Sequence, residues 1–188
     1  MCIRDRKDSD RFRESIKKTY NNPYIIPEGG TNELAVKGCQ EILTKEDQKM
    51  DYICTPIGTA GTIAGVINSI VSHQKVIGFP ALKGNWINQE VRKYVINDQW
   101  EVSRDYHFGG YAKVSETLVH FINDFKKKYD IPLDPIYTGK MMFGICDLIN
   151  RGFFPENSRI LAIHTGGLQG IAGMNMQLAK KKLPLITI

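Results

Sequence analysis

Hydrophobic and polar positions change period along this chain, and each change marks an element. Residues 52–57 form a short apolar run with β-branched members, the pattern of a buried strand. Gly58, Thr59, Ala60, Gly61 and Thr62 are too small and flexible to continue it, and Ile63, Val66, Ile67 and Ile70 then recur at helical spacing. Residues 1–7 show no apolar periodicity. Upstream of the 52–57 strand, residues 10–20 read as a polar surface helix stopped by Asn21, Asn22 and Pro23, and 24–26 as a short strand. A turn-rich 27–32 follows, where Thr31 or Asn32 can cap a helix running to about Leu43. Downstream, strands over 76–79, 100–103 and 159–164 alternate with helices over 86–96, 115–128, 141–150 and 168–179. In the second of these helices Leu118, Val119, Ile122 and Phe125 share one stripe.

Strands alternating with helices predict an α/β fold, a doubly wound and mainly parallel sheet. Ligands of such sheets sit outside the carboxyl ends of the strands. Four glycine-bearing segments, 58–62, 109–111, 138–140 and 165–167, lie on connections that follow strands or open helices, so they are expected to converge on one rim.

Composition narrows the function classes. The 188 residues are 42% hydrophobic and 24% charged, as in an ordinary globular domain. No apolar run is long enough to span a bilayer, and no charged-then-apolar segment opens the chain, so no membrane role is expected. Cys2, Cys39, Cys54 and Cys146 are scattered, which favours reduced thiols in a cytoplasmic protein over disulfides or zinc. The four histidines are equally dispersed, and no metal site is expected. The net charge of +5 is spread along helix faces; its tightest groups, 126–128 and 180–182, end helices, where cations suit the dipole. No nucleic-acid partner is expected.

The candidate chemistry starts at 58–62. A strand, a Gly/Thr turn and a helix N-terminus make a phosphate site, because the first amides of a helix lack intrahelical acceptors and its dipole favours an anion. The Thr59 and Thr62 hydroxyls can donate too. The stretch is neither a Walker A loop nor a dinucleotide fingerprint, so it suits a cofactor's phosphate monoester; an ordinary tight strand-to-helix connection has the same composition.

Five segments in order, I-P-E-G-G-T-N (26–32), G-T-A-G-T-I-A-G (58–65), G-G-Y (109–111), D-P-I-Y-T-G-K (134–140) and H-T-G-G (164–167), resemble the pyridoxal-phosphate-dependent family of D-cysteine desulfhydrases and 1-aminocyclopropane-1-carboxylate deaminases, on the tryptophan-synthase-β-like fold (fold type II). The resemblance covers nearly the whole chain after Tyr20. It implies pyridoxal 5'-phosphate as cofactor, with Gly58, Thr59, Ala60, Gly61 and Thr62 cradling its phosphate. Tyr111 and Tyr137 match the family's two active-site tyrosines. Thr165, followed by Gly166, falls where the desulfhydrase branch sets a hydroxyl against the pyridine nitrogen, and Thr138 lines the same edge. The cyclopropane deaminases instead carry Glu at the Thr138 position and Leu at the Thr165 position. A carboxylate there keeps the ring protonated and strongly electron-withdrawing, whereas a neutral hydroxyl suffices for removing a Cα proton and expelling thiolate. The expectation is therefore α,β-elimination from D-cysteine or a related D-amino acid, with the deaminase as alternative and a non-catalytic phosphate-ligand module as a third reading.

The resemblance also implies a Schiff-base lysine and a Ser/Asn-containing segment in an N-terminal portion, with no match in this chain. Residues 1–20 are then expected to be a remnant of a small domain and 21–188 the C-terminal part of the large cofactor-binding domain. By that reading the N-terminal part is missing, the chain alone is inactive, and the full-length protein is a homodimer. Lys113 and Lys140 lie near the site loops without matching the family's lysine, and both are expected to be exposed. His164, Glu28 and Asp134 are expected to be structural, the two acids as loop-ordering groups.

Overall fold

The computed structural model describes residues 9–187; the irregular stretch read over 1–7, and Cys2 within it, lie outside them. Four parallel strands, β1 (Tyr52–Ile57), β2 (Lys75–Pro80), β3 (Trp100–Val102) and β4 (Ile160–Ala162), make one sheet in the spatial order β3-β2-β1-β4. The helices are α1 (Asp10–Thr19), α2 (Glu33–Cys39), α3 (Gly61–Ser69), α4 (Ile87–Arg92), α5 (Glu116–Tyr129), α6 (Thr138–Asn150) and α7 (Gly170–Lys180).

The parallel α/β architecture follows from burial on both faces of the sheet, which needs strands that are apolar almost throughout. On one face Ile53, Ile57 and Val76 pack against Val36 of α2, Ile63, Ala64, Val66 and Ile67 of α3, and Ile87 and Val91 of α4. On the other, Cys54, Ile77 and Phe79 meet Met141, Ile145 and Leu148 of α6. Each such aliphatic side chain contributes about 1.5–3 kcal/mol on burial. Gly78 sits where α3 presses on the sheet: a Cβ there would lie 2.4 Å from Ile57 Cδ1 and 2.5 Å from Ile63 Cδ1. A further cluster joins Leu118, Val119 and Ile122 of α5 to Ile171, Met174 and Leu178 of α7.

The winding positions the site. From β1 the chain runs through α3 to β2 and through α4 to β3, then α5 and α6 carry it back past β1 to β4. Strand order therefore reverses at β1, and the connections leaving the carboxyl ends of β1 and β4 flank a crevice, the place where open α/β sheets bind ligands.

Element existence follows the hydrophobic pattern with one exception, and several ends move inward. Residues 24–26 form no strand: Pro23 and Pro27 bracket them and remove two backbone donors, no neighbouring strand pairs with them, and Tyr24 and Ile26 are each 70% exposed. The helix expected to reach Leu43 stops at Cys39, and a short 3-10 turn, Lys45–Lys49, leads into β1. The cap at its start is Asn32, whose Oδ1 accepts from Ala35 N at 2.9 Å. Helix α6 begins earlier than its apolar stripe, at Thr138, where the Asp134 carboxylate accepts from the first amides.

Candidate functional site

The crevice holds a cavity of about 390 Å³, within the range of small-ligand sites. Its walls come mainly from 56–63 leaving β1, 165–167 leaving β4, and Gly29, Gly30 and Thr31 of the segment before α2, with Tyr137 between; Ala35 and Cys39 of α2 and Gln169 complete them. Among the described residues of this lining there is no Asp, Glu, Lys or Arg.

The β1–α3 turn is built by an unusual backbone. Ala60, 3% exposed, has φ 72°, a left-handed conformation that side-chain-bearing residues rarely adopt. That turn aims the start of α3 into the cavity. A helix starting at Gly61 leaves the amides of its first three residues without an internal acceptor, and Ala64 is the first to donate back, to Ala60 O at 3.0 Å. Small residues keep the approach open: a Cβ on Gly58 would lie 3.4 Å from the Tyr137 hydroxyl, and one on Gly61 would lie 2.9 Å from Thr31 Oγ1. Gly58, Thr59, Ala60, Gly61 and Thr62 all line the cavity, but the Thr59 hydroxyl is engaged. It lies 2.7 Å from Thr31 Oγ1, which also donates to Thr59 O at 3.0 Å. The 29–31 segment thus braces the turn from outside. Only the match of 26–32 to a motif pointed to it; Thr31 reads from sequence as a helix cap, a task that Asn32 performs instead.

Asp134 builds the opposite wall. Its Oδ1 accepts from the amides of Ile136 and Tyr137, both at 2.9 Å. Its Oδ2 accepts from Thr138 N at 2.8 Å and from the Thr138 hydroxyl at 2.7 Å. This carboxylate, 2% exposed, caps α6 and fixes where Tyr137 emerges. It also backs the β4 loop, since a Cβ on Gly167 would meet Asp134 Cγ at 3.1 Å. Thr138 is fully buried with its hydroxyl held by Asp134, so the structure does not bring that hydroxyl into the cavity. Thr165 and Gly166 do line it. His164 orders their loop, accepting from Gly166 N on Nδ1 at 3.1 Å and donating from Nε2 to Pro132 O at 2.9 Å.

Tyr137 and Tyr111 meet edge to face with centroids 6.3 Å apart. Burial, with the Tyr111 hydroxyl beside it, pushes the Tyr137 phenol up to about 12, so it keeps its proton at neutral pH. Tyr111 is 56% exposed and stands at the rim, outside the cavity lining. The 109–110 glycines therefore do not join the rim; their loop reaches it through that ring contact. Lys140 overturns the expectation of an exposed lysine. It is 1% exposed, donates from Nζ to His107 O at 2.9 Å and Gly110 O at 2.8 Å, and is lowered to about 8 by burial, with Asp134 pulling the other way. Its aliphatic stem lets it bury where a polar-surface reading places it outside. Lys113 is exposed.

No protein-family model matches the chain. A Pyrococcus abyssi protein provisionally named 1-aminocyclopropane-1-carboxylate deaminase is 30% identical over 186 residues, covering 88% of this chain and 56% of that protein. A 1-aminocyclopropane-1-carboxylate deaminase of a Bradyrhizobium species (strain BTAi1) is 28% identical over 193 residues, covering 89% of this chain and 57% of its own length. Among solved structures, one described as an ACC deaminase homologue superposes with TM-score 0.76 at 26% identity, over 93% of this chain and 58% of its own. The processed form of threonine deaminase isoform 2 from Solanum lycopersicum gives TM-score 0.53 at 17% identity over 89% of this chain and 52% of its own, which shows a shared fold. The chain spans 56% and 57% of the length of these two curated relatives. Over most of its length the chain is similar to 1-aminocyclopropane-1-carboxylate deaminases, and it has the parallel α/β fold of fold type II that these structures share.

Proposed function

We propose that the whole protein is a pyridoxal-phosphate-dependent lyase that converts D-cysteine, or a related D-amino acid with a β-leaving group, and water to pyruvate, ammonia and, from cysteine, hydrogen sulfide. The residues present fit the cofactor. The unclaimed first-turn amides of α3 and the small-residue turn 58–62 suit a phosphate monoester, and the cavity extends from them to Tyr137 and Thr165. When bound, the cofactor supplies an electron sink for charge developing at Cα.

The observation that carries the elimination reading is the neutral lining. A ring nitrogen held beside the Thr165 hydroxyl would meet no carboxylate of the described lining, and Thr138, at the deaminase branch's Glu position, is buried against Asp134. Tyr137 holds its proton at Oη and serves as a hydrogen-bond donor or acid. Tyr111 stands at the rim beside it, its ring packed on that of Tyr137. The resemblance places the family's Schiff-base lysine N-terminal to the matched segments, so the activity is assigned to the whole protein. The second reading, 1-aminocyclopropane-1-carboxylate deamination, is favoured by the names of the relatives.

The product of the complete gene, purified with cofactor, decides between them. Sulfide and pyruvate released from D-cysteine faster than ammonia from 1-aminocyclopropane-1-carboxylate is the expected result, and Thr165→Leu should depress it. The reverse order assigns the deaminase reading. Bound cofactor with neither reaction leaves a phosphate-ligand module.

A further inference from the structure

The loop that carries Tyr111 is held in an uncommon conformation. Phe108 (φ 52°), Gly109 (φ 92°), Gly110 (φ 116°) and Ala112 (φ 54°) are all left-handed, and two of them bear side chains. Such backbone persists only where its surroundings over-determine it. Bonds within the loop are few: Gly110 N to His107 O at 3.0 Å, Lys113 N to Gly110 O at 3.1 Å, and Gly109 N to His107 Nδ1 at 2.9 Å. The outside support comes from Lys140 in the first turn of α6, whose Nζ donates to the carbonyls of His107 and Gly110 on either side of the turn. Three residues earlier the same helix end presents Tyr137, against which the Tyr111 ring packs. One turn of helix thus holds both tyrosines, one covalently and one through the ammonium. Lys140 does not line the cavity, so it neither attacks nor deprotonates a ligand there.

We propose that Lys140 is the positioning residue for the Tyr111–Tyr137 pair, tying the left-handed loop 107–112 to the start of α6. The proposal rests on the lyase reading only in giving that pair a catalytic task. The tie needs two donors on one long arm reaching carbonyls where water is shut out, and a lysine supplies this. Its burial at a charge cost shows that simple packing is not its role, since a Met would fill the same space.

Hydrogen exchange on the complete protein tests the tie without any activity readout. In Lys140→Met the amides of Gly109, Gly110 and Lys113 should exchange at least tenfold faster, while those of β1 and α3 keep their rates. Unchanged exchange in the loop overturns the proposal. In the complete protein Lys140→Met should lower kcat about 100-fold, the scale of an ångström's misplacement, with little change in KM. In a Tyr111→Phe background the same change should cost less than twofold; losses that multiply overturn the proposal. If Lys140→Met does not fold, Gly110→Ala strains the loop from its other side and should reproduce both effects, and a silent Gly110→Ala overturns it. A parent without lyase activity defeats the functional reading alone, because loop exchange still decides on Lys140.

Discussion

Asp134→Ala should destabilise the chain by about 3–4 kcal/mol, because one carboxylate accepts from four donors at the entry to α6. The donors are not equal. The Ile136 and Tyr137 amides lie in half-buried residues, and water can replace the carboxylate there at small cost. Thr138 is fully buried, so its amide and hydroxyl lose their acceptor with nothing to replace it. Each such orphaned group costs about 1–3 kcal/mol, and the total exceeds the ~1 kcal/mol typical of losing a helix cap. For a chain of this size the loss corresponds to a Tm fall of about 10 °C. Urea unfolding at pH 7, followed by circular dichroism and by fluorescence of Trp86 and Trp100, measures it, with an unchanged m-value as the sign that only stability moved. Asp134→Asn keeps one carbonyl acceptor but turns an NH₂ toward donors, and should fall between parent and Ala. An Asp134→Ala variant within about 1 kcal/mol of the parent would refute the cap as the organiser of this wall.

Three further outcomes follow from the packing and the charges. Gly65→Ala places a Cβ 2.3 Å from Cys39 Cβ and 2.6 Å from Val36 O. The overlap should outweigh the ~1 kcal/mol gain in helix propensity and lower stability by about 1–2 kcal/mol; a thermal melt showing a more stable variant refutes the close α2–α3 contact. Thr31→Ala removes the brace on Thr59 and should weaken pyridoxal phosphate binding about tenfold by titration calorimetry, with Thr31→Ser restoring it. Equal affinity in all three proteins would release Thr31 from the site. Lys140 gives the pH dependence: its folded pKa, about 8, lies below the unfolded 10.5, so the unfolded chain binds more protons between those values. Its contribution therefore raises stability as pH climbs from about 8 to 10.5, by about 3 kcal/mol at most. Subtracting the urea-measured profile of Lys140→Met from the parent's should isolate that rise, and a flat difference refutes the buried ammonium.

The sheet was legible in the sequence because strands buried on both faces must be apolar throughout, and the 52–57 and 76–79 runs have no other stable use. Residues 24–26 misled for the same reason: three apolar residues satisfy the pattern, but two prolines deny them a ladder. The β1 turn was legible through its small residues, whereas the left-handed Ala60 was not, since nothing in alanine's chemistry announces it. Thr31 and Lys140 were hidden because their partners are backbone oxygens of remote loops, 28 to 33 residues away, and backbone atoms leave no trace in a side-chain pattern. Asp134 could be read as a loop-ordering acid, but its fourfold acceptance depended on a tertiary approach.

These remote hydrogen bonds bear on why the cavity is neutral. An anionic ligand here would be met by amide dipoles and hydroxyls, while Asp134 and Lys140, both outside the lining, spend most of their bonds on backbone. A carboxylate moved into the lining would oppose the phosphate and raise the proton affinity of a ring nitrogen beside it; an ammonium moved there would compete for the phosphate. Keeping both charges in the supporting layer orders the Tyr137 side of the site without placing a charged group in the lining itself. On the proposed lyase reading, that separation would suit elimination from a substrate with a good leaving group, where a moderate electron sink is enough. It also makes Thr165→Glu more informative than removal of either supporting charge. The introduced carboxylate changes the field while leaving the Asp134 cap and the Lys140 tie intact, so a rise in cyclopropane deamination with a fall in sulfide release would show that the neutral lining, and not the shape of the walls, selects the reaction.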